Sequence, residues 1–100
     1  MVIWTNPAKA DLKAIHDFIA LDSRFYAKKV TASIVKKTET LNRFAQIGRV
    51  VPEIDNDAVR ELFIYSYRII YEIKSEAVYI LAIVHGKQDL SSTHLYSIQE

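Results

Sequence analysis

The chain contains no cysteine, so disulfides and thiolate metal sites are excluded. Glycine and proline are almost as scarce, two of each in 100 residues, which leaves no glycine-rich phosphate loop, linker or low-complexity tract. No apolar run approaches the roughly 18 residues of a membrane span, and the start lacks a secretory pattern, so a cytoplasmic location is expected. Histidine is sparse too: His16, His85 and His94 are not at metal-ligand spacing and no carboxylate cluster accompanies them. No metal and no cofactor is therefore expected. The formal net charge of +1 gives no overall argument for a nucleic-acid partner. Locally, though, Lys28, Lys29, Lys36, Lys37, Arg43 and Arg49 form a basic stretch set against the acidic Asp11, Asp17 and Asp22.

What the chain has in quantity is apolar: half its residues are hydrophobic and a quarter are charged, which describes one globular domain over residues 1–100. Val59 to Asp89 holds most of the strand formers. Its three runs of Val, Ile, Leu, Phe and Tyr are broken at Ser66 and at Lys74-Ser75-Glu76, predicting a three-strand antiparallel meander over 59–64, 67–73 and 77–85. In the middle run, Tyr67, Ile69, Tyr71 and Ile73 share one face while Arg68, Ile70 and Glu72 share the other. The third run is apolar on both faces, which predicts an inner strand, and it ends in the polar cluster His85-Gly86-Lys87-Gln88-Asp89.

Upstream, residues 2–5 suit a short strand, and Asn6-Pro7 suits a helix start with Asn6 as cap and Pro7 in first position. Leu12, Ile15, Phe18 and Ile19 recur at helical spacing, with Lys9, Asp11, Lys13, His16 and Asp17 toward solvent, so a helix is predicted over 8–21. Asp22-Ser23 caps a second over 24–45, with Ala27, Val30, Ile34, Leu41 and Ala45 on one stripe. The short connection predicts an antiparallel hairpin packed on the sheet. Residues 49–57 have neither period and predict an exposed loop. The last ten residues, 91–100, predict either a short helix begun at Ser91 or Ser92 or a mobile extension.

The segments NPAKADLKAI, IGRVVPEI, VREL, YRIIYEI and VYILAIVHGKQDL, in this order, resemble the RelE/ParE superfamily of toxins from bacterial type II toxin–antitoxin pairs. The His-Gly-Lys-Gln-Asp ending resembles the ParE branch in particular. The resemblance implies an α+β fold, in which an N-terminal strand and a helical hairpin pack on a mainly antiparallel sheet completed by the meander. It also implies a cognate antitoxin, toxicity to the host and a part in plasmid stabilisation. Two activities divide the superfamily: RelE-like members cleave mRNA at the ribosome, whereas ParE-like members poison DNA gyrase.

Arg68 matches the arginine of the ribonucleases' Tyr-Arg motif, Arg60 lies near their lysines, and His94 falls near their C-terminal catalytic tyrosine. At Gln88 those enzymes carry an arginine, so transition-state charge there has no matching cation. The residues alone allow quieter roles: Arg68 pairing with Glu72 or with Glu61 across the hairpin, His85 as a hydrogen-bonded residue closing the core, and the lysines as a solvated helix face. The expectation is a non-enzymatic gyrase inhibitor, bound by a cognate antitoxin, that meets its target through Arg60, Arg68, His85, Lys87, Gln88 and Asp89. The alternative is a ribosome-dependent mRNA endonuclease with Arg68, His85 and His94 as catalytic residues and the ribosome and mRNA as partners.

Overall fold

Thr5 closes the first strand and opens the first helix. Its hydroxyl oxygen accepts the Ala8 N–H at 3.3 Å and donates to the Ile80 carbonyl at 2.7 Å, while its backbone N–H reaches the same carbonyl at 3.1 Å. The cap is thus Thr5 rather than Asn6, because only the residue tied to the sheet keeps extended φ/ψ while its oxygen faces the free helix N–H groups. In this computed structural model, which describes residues 1–86 and residue 90, β1 (Val2–Trp4) leads through Thr5 into α1 (Asn6–Ala20) and α2 (Arg24–Glu39). A 3-10 turn (Thr40–Asn42) follows, then β2 (Arg49–Val50), β3 (Val59–Ile64), β4 (Tyr67–Lys74) and β5 (Ala77–His85). The five strands lie in the order β1-β5-β4-β3-β2, antiparallel except for the parallel β1–β5 pair. β5 is an inner strand, as its two apolar faces predict.

The alternation along β4 sorts the sheet into two faces. Ile69 and Tyr71, with Leu62, Val78, Ile80 and Ile83, pack against Ala8, Val30, Ile34 and Leu41 of the helical layer. On the opposite face, Val59, Ile70, Leu81, Ala82 and Val84 cluster with Val51 and Leu90. A bulge sets the parity of β5: Ile70 pairs with Ala82 and Tyr71 with Ile80, leaving Leu81 unmatched. Ile80 and Ile83, three residues apart, can then both point at the helices. β1 ends level with Ile80, so beyond that point β5 has β4 on one side and no strand on the side of β1. Asp11, expected toward solvent, is instead half-buried and accepts the exposed edge N–H of Ile83 at 3.0 Å.

Three further expectations change. Phe18 is 74% exposed, because Leu12, Ile15 and Ile19 align within a narrow arc at 100° per residue and Phe18 falls outside it. α2 stops at Glu39 instead of reaching 45: the Thr38 and Thr40 hydroxyls donate back to the carbonyls of Val35 and Lys37, and a tighter turn delivers Leu41 to the core. The 49–57 segment is not wholly a loop at the surface. It begins with β2, too short to show a period, and Val51 is fully buried, with Ile54 packed beside it.

Candidate functional site

Arg68 lies in the middle of the sheet face turned away from the helices, directly between Phe63 of β3 and Val84 of β5. Its side chain is buried among carboxylates. Nε donates to Glu61 Oε1 at 2.6 Å, and the two terminal nitrogens grip Glu53 in a fork, Nη1 to Oε2 at 2.9 Å and Nη2 to Oε1 at 3.0 Å. Glu61, itself only 1% exposed, also accepts from Nε of Arg49. Of the two quiet pairings open to Arg68, the cross-hairpin one with Glu61 is formed; Glu72 lies instead beside Lys74 at 3.7 Å. The hydrogen bonds it donates to Glu53, and then to Glu61, hold the Arg68 guanidinium above its ordinary pKa against the opposing effect of burial. A cation so held is fully charged, but its donors are directed at its own chain.

Arg60 points the other way. Its neighbours Leu62 and Ile64 belong to the helix-side cluster, and its guanidinium donates to the carbonyls of Asp57 at 2.9 Å and Gly48 at 3.0 Å. It therefore clamps the turn before β2. Beneath that clamp the Tyr71 hydroxyl donates to the Ala45 carbonyl at 2.7 Å and accepts the Gly48 N–H at 2.9 Å. A Cβ on Gly48 would lie 2.5 Å from the Glu61 carbonyl and 2.6 Å from the Tyr71 oxygen, so this close crossing requires glycine. Burial raises the Tyr71 pKa, with the Gly48 N–H and the Arg60 charge opposing it.

His85 does not close the core. It is exposed at the end of β5, edge-to-face with Tyr67 at 6.3 Å between ring centroids, beside a shallow groove formed with Ala14, Ile15 and Phe18 of α1. Arg68 thus faces one side of the sheet, and Arg60 and His85 the other. Arg60 and His85 are themselves separated by two strand spacings and by four residues along the strand direction, roughly 16 Å apart by standard sheet dimensions. Lys87, Gln88, Asp89 and His94 lie outside the described residues. Among the described residues, no group of three or more His, Cys, Asp or Glu is placed to hold a metal ion.

The family described as the ParE toxin of type II toxin-antitoxin system, parDE, matches residues 2–90. The chain belongs to the ParE toxin family. Its fold agrees: a solved chain described as the chromosomal ParDE TA system from P. aeruginosa superposes with a TM-score of 0.71 at 29% identity, over 84% of this chain and 92% of that one. No curated protein matches the sequence. As a ParE-family toxin, the chain is one component of a toxin–antitoxin pair, and no helix among its described residues is long and apolar enough to cross a membrane.

Sequence reasoning missed Glu53 and Arg49 as members of the ion cluster, and the Tyr71–Gly48–Arg60 clamp. Glu53 sits in a segment without periodicity, so nothing local placed it over β4. The clamp did carry a signal: Gly48 is one of only two glycines in the chain.

Proposed function

We propose that this ParE-family toxin is a non-enzymatic poison of DNA gyrase, acting in the cytoplasm and neutralised by a cognate antitoxin. The observation that carries the reading is the state of Arg68. A ribonuclease of this superfamily needs that arginine open to a scissile phosphate and joined by other cations, with an acid or base in hydrogen-bond reach. Here Arg68 is 4% exposed, Nε and both terminal nitrogens donate to Glu53 and Glu61, and Arg60 and His85 lie on the other side of the sheet. Gyrase poisoning is the activity of the ParE branch and requires a binding surface rather than a catalytic one.

The target surface is assigned to the exposed His85 and to Lys87, Gln88 and Asp89, which continue from it. Arg68 and Arg60 support that surface from within by fixing β3, β4 and the 46–57 segment. The antitoxin is assigned to the helical hairpin, where Phe18, Leu21 and Phe25 are each more than 70% exposed and form the apolar seat that a partner would cover. Controlled expression tests the reading in cells: DNA breaks and an SOS response are expected while translated mRNA stays intact. Cleavage of mRNA at ribosomes without DNA breaks would contradict it.

A further inference from the structure

Charge is unevenly divided in this chain: seven of its 13 basic residues, but only one of its 12 acidic ones, lie between Arg24 and Arg49. Most of these cations make no ion pair among the described residues. Arg24, Lys28, Lys29 and Lys36 are exposed and make no ion pair among the described residues, and Arg43 lies over the Phe44 ring, 5.6 Å from its centroid. Elsewhere Lys13, Arg68 and Lys74 each face a carboxylate. Lys29 and Lys36 project opposite the buried Ala27, Val30, Ile34 and Thr38, two turns apart and thus about 10 Å along the α2 axis.

We propose that the outer face of α2, continued by Arg43, binds the sugar-phosphate backbone of duplex DNA without regard to sequence. Charge complementarity selects that occupant over a protein helix. A helix needs apolar seats, and between Lys28 and Glu39 the only large apolar side chain exposed is Val35, at 36%. The larger exposed apolar side chains flank this stretch, Phe18, Leu21 and Phe25 around the start of α2 and Phe44, Ile47 and Phe63 beyond its end, so a protein partner seated on them would border the DNA face. The role of this face rests on the gyrase reading: a toxin seated on gyrase next to cleaved DNA would hold the duplex as well as the enzyme.

The test is direct binding of the full-length chain to a fluorescent mixed-sequence duplex of about 20 base pairs across a salt series, with gyrase absent. A dissociation constant of about 10⁻⁴ to 10⁻⁶ M is expected at physiological salt, with affinity falling steeply as salt rises. The double substitution Lys29→Gln and Lys36→Gln is expected to weaken binding by about ten-fold or more at low salt and to reduce the salt slope by about 2, with unchanged circular dichroism. Lys29→Arg with Lys36→Arg is expected to retain it. Absence of duplex binding at low salt, equal binding by the glutamine variant, or tighter binding of polyglutamate than of the duplex would each overturn the proposal. Because gyrase is left out, failure of gyrase poisoning and failure of this contact are read in separate experiments.

Discussion

Arg68 has the sequence neighbours of a catalytic residue and the surroundings of a structural one. Removing it strands Glu61, 1% exposed, with Arg49 as its remaining partner, so Arg68→Ala is expected to cost about 3 kcal/mol by chemical denaturation, near the low end for breaking a buried pair. Arg68→Lys is expected to recover only part, since an ammonium cannot reproduce the fork on Glu53. Gly48→Ala is expected to cost about 2 kcal/mol, because the Glu61 backbone carbonyl cannot give way to a methyl group. Tyr71 carries a pH prediction. Its pKa is raised above 10.0 in the folded state, so its contribution to stability is complete below that value and is lost as pH rises through the folded pKa. Thermal stability is expected to fall on going above pH 10, and less steeply in Tyr71→Phe. At this scale the sequence placed Arg68 on the correct face and offered Glu61 as a partner. Glu53 was invisible because its position depends on how an aperiodic segment folds back.

The elements were legible where period and burial agree. The two faces of β4 follow from alternation, and the buried stripe of α2 follows from the spacing of Ala27, Val30 and Ile34, whereas the bulge in β5 left no mark on its doubly apolar run. The failures lie where a side chain competes with the backbone pattern. Thr38 and Thr40 bond back to α2 carbonyls near its end, Thr5 takes the cap from Asn6, and Asp11 turns inward to serve β5. Asp11 gives the prediction at this scale. Asp11→Ala leaves the Ile83 N–H without its carboxylate and is expected to cost about 1 kcal/mol, together with faster hydrogen exchange at Ile83. Unchanged exchange at that amide would show that the contact contributes nothing to holding the edge of β5.

For the molecule as a whole, the sheet acts as a partition. It separates Arg68 from Arg60 and His85, while the helical layer carries an apolar tip and, along α2, a basic face that makes no ion pair among the described residues. Family and fold were both legible in the sequence, because the segments carrying them are continuous strands and helices. The direction in which each cation's donors point was not, since it depends on contacts between residues far apart in the chain. The measurement that tests the account most directly adds the purified full-length chain separately to a gyrase supercoiling and DNA-cleavage assay and to ribosomes programmed with mRNA. The account predicts loss of supercoiling with accumulation of cleaved DNA, and intact mRNA at every concentration that affects gyrase. Ribosome-dependent mRNA cleavage with gyrase unaffected would contradict it.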